Sequence, residues 1–397
     1  MKILWHSAAP FCQTGYGTQT AQATRRLTAA GHDVAIAAYF GLRGSMMEWE
    51  GMPVYPGDNT GYGGIMLPHY AGHFAQGEAR EDVLVITLQD VWTLNEHHSK
   101  LAPLNLASWV PVDCKPLSPR VHQFFDLTGS RPIAMSKFGR DALADAGLDP
   151  LYVPHGIDTG TFTRQPDRAA IRRAMKVPED AFVVGMVAYN AGTNPPRKSF
   201  PQVFQAFARF RREHPDAVLY IHSDLFGMDS GINLMALKEI CGIPDEAFAF
   251  SNQLALQLGT PASKLAELYT GFDVLANPSY GEGFGIPIVE AQACGCPVLT
   301  SNWTSMPELT AAGWCVSGDA WYVPQYGAFW LSPSVVEIYE ALESAYVLRD
   351  DEGLRDKGRE FALQYDADRV FDEHWLPALD ELAKTIELPV IREVVPA

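Results

Sequence analysis

The sequence predicts an α/β protein of two domains, and three observations carry that expectation. At 397 residues the chain is longer than one ordinary core holds and suits two domains of roughly 150 to 200 residues each. Short apolar runs alternate with amphipathic helical segments from the first residue onward, the pattern of parallel sheets covered by helices on both faces. The same alternation begins afresh at Phe182, after a stretch from Gly156 to Arg168 rich in Gly, Asp, Thr and Pro.

In the first half, strands are expected at Lys2 to Ser7, Val34 to Tyr39, Val83 to Leu88, Ser108 to Val112, Ile133 to Met135 and Leu151 to Pro154. A helix follows Ser136, its N-cap, and stops before Gly147. In the second half, a strand at Phe182 to Ala188 leads to a helix carrying Val203, Phe207 and Phe210 at i, i+4 and i+7. Further strands are expected at Val218 to His222, Ala247 to Phe250, Val274 to Ala276, Val298 to Thr300 and Trp314 to Val316. A long helix from about Ala367 carries an apolar stripe of Phe371, Trp375, Leu379 and Leu382, which must bury against something.

Composition narrows the function classes. Hydrophobic residues make up 47% and charged residues 19% of the chain, so there is ample material for cores. A formal net charge of −17 opposes nucleic acid and anionic membrane. The basic groups Arg25-Arg26, Arg172-Arg173 and Arg209/Arg211/Arg212 fall on expected helices and read as solvated faces. No apolar run reaches membrane-spanning or signal-peptide length, which points to a cytoplasmic protein. The six cysteines are scattered without paired metal-ligand spacing, and Cys294-Gly295-Cys296 reads as packing.

Three segments could carry chemistry. Gly15-Tyr16-Gly17 stands where the first strand hands over to a helix, either as a tight turn or as a loop whose N–H groups and helix dipole receive a diphosphate. The spacing is not that of the dinucleotide fingerprint. Arg197-Lys198 follows the strand ending at Ala188, either as a solvated pair or as cations that neutralise a leaving diphosphate. The densest segment is Gly281-Glu282-Gly283-Phe284-Gly285-Ile286-Pro287-Ile288-Val289-Glu290. Three glycines free its backbone, Pro287 opens a helix, and Glu290 is expected in that helix's first turn, so that two carboxylates face one pocket.

These residues resemble the retaining glycosyltransferases of the GT-B fold, specifically glycosyltransferase family 4. Glu282 to Glu290 matches that family's E-x7-E element, within a stretch running from Asn277-Pro278 through Gly295-Cys296-Pro297-Val298. Pro154-His155-Gly156-Ile157-Asp158 with Phe162, Arg197-Lys198 and Ser305-Met306-Pro307-Glu308 agree in order, and the first domain matches loosely.

The resemblance implies two Rossmann-like domains facing across a cleft: an acceptor domain at 1–160 and a nucleotide-sugar donor domain at 161–366. It also implies a C-terminal helix at 367–388 crossing back to the first domain, with a tail at 389–397. Glu290 would hold the donor ribose, while Glu282, Gly283, Phe284 and Gly285 would contact the transferred sugar. Arg197 and Lys198 would hold the diphosphate, with Gly15 and Gly17 closing on it from the first domain. The implied reaction moves a sugar from a UDP- or GDP-sugar to an acceptor with retention. It needs no metal or other cofactor, because the cations stabilise the leaving group.

Many family members place a histidine after a middle strand of the first domain, where this chain has Leu88-Gln89-Asp90-Val91-Trp92, so Gln89 or Asp90 takes that role. His97 and His98 read either as a solvated pair or as acceptor contacts, and Asp113 either as a loop carboxylate or as a further contact. The acceptor is a small molecule, a glycan or a lipid-linked molecule before it is DNA, and the loop from Gly57 to Gly77 is expected to shape its site. A sugar-nucleotide epimerase, a non-catalytic nucleotide-sugar binding protein and a glycosyltransferase acting on modified DNA bases are the alternatives. The sequence does not specify oligomeric state.

Overall fold

The computed structural model describes residues 1–387 except 60, 78, 80, 81, 193, 194 and 229, and the tail expected at 389–397 lies outside the described residues. Contacts divide the chain into two units. One holds Met1–Pro111, Leu117–Gly156 and the chain from Asp368 onward; the other holds Val112–Pro116 and Ile157–Ala367.

The first unit is built on an eight-stranded sheet. In spatial order its strands are Met47–Trp49, Met52–Tyr55, Asp33–Phe40, Lys2–Ala8, Val83–Leu88, Asn105–Val110, Arg131–Ala134 and Leu151–Tyr152. All pairs are parallel except the edge hairpin of the first two. Val83–Leu88 is buried at every position, as helices on both faces require. The edge hairpin was not evident in the sequence, because Pro53 interrupts a short run. Its turn is Glu50-Gly51, both at positive φ as the tightest hairpin turns demand.

From Asp368 the chain returns to this unit as a wide π turn, Phe371–Trp375, and a helix, Leu376–Glu387. The apolar stripe is buried there. Trp375 packs 5.5 Å from Trp5 and 4.9 Å from Trp109 between ring centroids, each indole N–H of those two being satisfied, by Thr20 and by the Val153 carbonyl.

The second unit has a six-stranded parallel sheet in the order Phe248–Phe250, Ala217–His222, Phe182–Val187, Val274–Asn277, Val298–Ser301 and Gly313–Val316. Counted along the chain this is 3-2-1-4-5-6, the doubly wound order of dinucleotide-binding folds. Helix Phe200–Glu213 buries Phe200, Phe204, Phe207 and Phe210 almost completely, each contributing about 1.5–3 kcal/mol relative to exposure. Gly185 lies mid-strand because a Cβ there would stand 2.2 Å from the Phe272 ring.

Two sequence expectations change here. Arg172 is buried rather than solvated: it donates to the carbonyls of Gly271, Glu179 and Ala181 and to Asp273, fixing helix Arg168–Met175 to the sheet. The segment from Gly57 to Gly77 is not all loop, since Leu67–Ala75 is helical, its glycines and histidines having masked the pattern. Beyond the six parallel strands the unit also carries an antiparallel hairpin, Gly318–Val323 with Ala328–Pro333.

Candidate active site

In a doubly wound sheet the chain order reverses between strands 1 and 4, leaving a crevice at their carboxyl ends. In the second unit those strands are Phe182–Val187 and Val274–Asn277, and the loops that leave them carry Arg197-Lys198 and Gly281–Gly285. The topology therefore unites segments more than eighty residues apart in sequence.

Glu282 lies between the two cations. Its Oε1 pairs with Lys198 Nζ, and its Oε2 accepts from Arg197 Nη1 at 3.1 Å, while the same Nη1 donates to the Gly281 carbonyl at 2.6 Å. The loops are also joined by the backbone, Tyr280 N–H donating to the Arg197 carbonyl at 2.9 Å. Burial alone would raise the Glu282 pKa, but Lys198 and Arg197 outweigh it and hold the carboxyl down at about 2. Burial and the neighbouring Arg197 lower the Lys198 pKa, with Glu282 opposing them.

The loop from Gly281 to Gly285 is clamped by residues that the sequence did not single out individually. Ser305 Oγ bonds the carbonyls of Glu282 and Phe284 at 2.8 and 2.6 Å, and the Glu282 N–H donates to Thr304 at 3.2 Å. Gly285, at φ +114°, caps helix Ile286–Ala293, and Phe284 is buried against Tyr365. Gly283, between Glu282 and Phe284, is buried as well.

Glu290 is the fifth residue of that helix, just beyond the first turn where it was expected, and it does not share the cations of Glu282. Its Oε2 accepts from the Tyr269 hydroxyl at 2.9 Å. Burial pushes its pKa up to about 7, and the tyrosine hydrogen bond only partly opposes this. One carboxylate is thus held ionised, while the other is held near the midpoint of its titration at neutral pH.

Asp113 belongs to the second unit, not with the acceptor candidates of the first. Its carbonyl oxygen would lie 2.0 Å from a Cβ on Gly281, which explains the glycine there. Burial raises the pKa of the Asp113 carboxyl, against the pull of Arg197. Beside it Lys115 places its Nζ 4.5 Å from the Trp303 ring centre and pairs in an antiparallel bridge with Phe329 of the hairpin. The hairpin's Trp330 and Val323 form a small core with Cys114 and Tyr280, backing the Gly281 loop. Only the Pro-rich context of Asp113 signalled this arrangement in the sequence.

The remaining candidates lie in the first unit, also around its reversal point, between Lys2–Ala8 and Val83–Leu88. Gly15 opens helix Gly15–Ala29. Gly17 is required by the turn itself: a Cβ would stand 2.2 Å from the Cys12 carbonyl oxygen, and its N–H donates to the Thr14 N-cap. Gln89 and Asp90 leave the end of Val83–Leu88, and a 3-10 turn, Val91–His97, follows. His97 packs against Gly64, and His98 Nδ1 is 2.8 Å from the Asn95 carbonyl oxygen. Cys294 and Cys296 are buried, and burial pushes the Cys296 thiol up to about 12, which suits packing. Among the described residues no helix is long and apolar enough to cross a membrane.

Fold and site together define a GT-B protein of two Rossmann-like α/β units, and residues 167–318, which hold the ion cluster's Glu282, Arg197 and Lys198, match the family of glycosyl transferases group 1. Among curated relatives, a D-inositol 3-phosphate glycosyltransferase of Segniliparus rotundus is 33% identical over 175 residues, 43% of this chain and 35% of the relative. The enzyme of the same name from Geodermatophilus obscurus is 34% identical over 158 residues, 39% of this chain and 34% of the relative. The chain thus spans about a third of the length of the curated relatives it matches. Similarity of fold is far wider. A sucrose-phosphate synthase from Thermosynechococcus elongatus superimposes with a TM-score of 0.73 at 17% identity, over 97% of this chain and 100% of that one. Anabaena HepE in complex with UDP-glucose does so with a TM-score of 0.68, also at 17% identity, over 96% and 100%.

Proposed function

We propose that the chain is a retaining, metal-independent glycosyltransferase that moves a hexosyl group from a UDP- or GDP-sugar to an acceptor. The carrying observation is the cluster of Arg197, Lys198 and Glu282 at the strand-order reversal of a glycosyl transferases group 1 domain. The UDP-glucose held by the Anabaena fold relative supports a nucleotide-sugar donor.

Two cations adjacent in sequence, with their side chains anchored on one buried carboxylate, are prearranged for a diphosphate. As the glycosidic bond loosens, negative charge gathers on the leaving phosphate, and Arg197 and Lys198 stabilise it without reorganising. Glu282, kept ionised, holds both ammonium and guanidinium in place between turnovers and accepts hydrogen bonds from sugar hydroxyls. Glu290, in its ionised form, accepts from the ribose hydroxyls. Charge neutralisation by side chains is the reason a divalent metal is not needed.

Incubation of the full chain with UDP- and GDP-sugars, with nucleoside diphosphate release followed in EDTA and the product anomer read by proton NMR, tests the proposal. Release of one nucleoside diphosphate with a retained anomer supports it. Inversion, epimerised donor, or release only after divalent metal is restored contradicts it.

A further inference from the structure

A hollow of about 250 Å³ lies in the second unit where helices Phe200–Glu213 and Leu234–Cys241 end, lined by Ala208, Arg211, Arg212, Gly242, Ile243 and Pro244. Each helix joins two parallel neighbouring strands, so both run back toward the amino edge of the sheet, opposite the crevice that holds Glu282. Helix Phe200–Glu213 begins just after Lys198 and has 14 residues, which puts the hollow about 20 Å from the cations of the crevice.

The sequence reads Arg209, Arg211 and Arg212 as one solvated face, and the structure separates them. Arg209 covers the Tyr339 ring at 3.8 Å. Arg211 Nη1 donates to the His214 carbonyl at 3.3 Å, while its Nε is buried and finds no acceptor among the described residues. Arg212, beside it and exposed, makes no side-chain hydrogen bond or ion pair among the described residues. The carboxylates on the adjoining elements are engaged elsewhere: Glu213 accepts from the Tyr339 hydroxyl at 3.0 Å, and Glu239 and Asp245 both pair with Lys238. Glu246 is exposed and does not line the hollow. Two cations in a helix's last turn complement its dipole, which accounts for their charge. It does not account for a buried guanidinium N–H without an acceptor, a state that native folds keep mainly where a ligand or ordered water completes the bonding.

The lining indicates what kind of ligand. Two guanidinium forks side by side suit the oxygens of a phosphoryl dianion, whereas a single carboxylate occupies one fork. Ala208, Gly242, Ile243 and Pro244 offer no polar side-chain atoms, so recognition falls on charge. The volume is below the roughly 300–1,000 Å³ of pockets for drug-sized ligands and suits a phosphoryl group carrying little else. We propose that the hollow binds a small phosphate-bearing anion, free phosphate or a phosphorylated metabolite of monosaccharide size, at a site separate from the crevice. This holds whether or not the chain transfers sugars.

The test is calorimetric titration of the full chain with orthophosphate, pyrophosphate and glucose 1-phosphate at fixed ionic strength, with acetate as the control. Because the cations of the crevice also attract phosphate, it is repeated on Lys198→Met and on Arg211→Gln/Arg212→Gln. The expected result is a phosphate probe that binds the parent and Lys198→Met alike and binds the double variant at least about tenfold more weakly. UDP and GDP affinities of the double variant are expected to equal the parent's. Binding of orthophosphate or pyrophosphate marks a site for free phosphate, and binding of glucose 1-phosphate alone marks one for a phosphorylated metabolite. No phosphate binding, acetate binding as tight as phosphate, equal binding in the double variant, or loss of all binding in Lys198→Met overturns the proposal. A matching loss of UDP or GDP affinity in the double variant also overturns it, because the site would not be separate. Should the double variant fail to fold, Arg212→Gln decides, since it alters one exposed side chain: weakening of phosphate binding by about threefold or more supports the proposal, and unchanged affinity overturns it.

Discussion

Replacing Glu290 by Gln should stabilise the fold while weakening donor binding, and the two effects should separate by pH. The carboxyl has a pKa of about 7 in the folded chain against an ordinary 4.5. Between those values the native state holds a proton that the unfolded chain has released, so stability falls as pH rises from 4.5 to 7 and levels off above 7. A gap of about 2.5 units at 1.36 kcal/mol each corresponds to about 3 kcal/mol. Glutamine keeps the shape and does not ionise, so it escapes this penalty. It retains an acceptor for the Tyr269 hydroxyl, and the strengthening of that bond by the charge is already contained in the folded pKa. The net gain is about 3 kcal/mol at pH 8, or roughly 6–12 °C in Tm for a unit of this size, and it should vanish near pH 4.5. Urea or thermal unfolding of parent and variant across pH 4.5 to 8 measures it. A Tm difference that does not change with pH, or a variant less stable at pH 8, would refute the reasoning about Glu290.

Other consequences follow from the same geometry. Lys198→Met leaves Glu282 with Arg197 alone and removes a cation from the leaving group, so kcat should fall by about 10²–10³ in steady-state assays. Glu282→Gln strands Lys198 in a buried site and should cost about 3–5 kcal/mol at pH 7 by denaturant titration. Because the folded pKa of Glu282 is depressed, its contribution is present above pH 4.5 and is lost as pH falls toward 2, so parent and variant should converge in acid. Gly281→Ala forces a Cβ onto the Asp113 carbonyl oxygen and should destabilise by about 1–3 kcal/mol, with donor affinity falling as the loop shifts.

Much of the fold is legible in the sequence because central strands of a doubly wound sheet are buried on both faces. Val83–Leu88 and Ala217–His222 announce themselves as nearly continuous apolar runs, broken only by Thr87 and His222. The edge strand Met47–Trp49 and the hairpin from Gly318 to Pro333 do not, since half-exposed short strands interrupted by proline and glycine look like loops. In the site, the glycines and carboxylates from Gly281 to Glu290 are readable because backbone geometry and charge are dense in one segment. The different fates of Glu282 and Glu290 are not, because they depend on partners remote in sequence: Arg197 and Lys198 for one, Tyr269 for the other. Arg172 gave no sign of burial for the same reason, its counter-ion Asp273 lying a hundred residues on. Gln89 could be named from its position after a strand, whereas its unpaired amide is visible only in three dimensions.

The central claim, a nucleotide-sugar donor held by side chains and not by a metal, is tested most directly by calorimetric titration of UDP and GDP into the parent and Lys198→Met, both in EDTA. The account predicts that one nucleoside diphosphate binds the parent without metal and binds Lys198→Met at least tenfold more weakly. Equal affinity in the two proteins, or binding that appears only when a divalent cation is added, would contradict it.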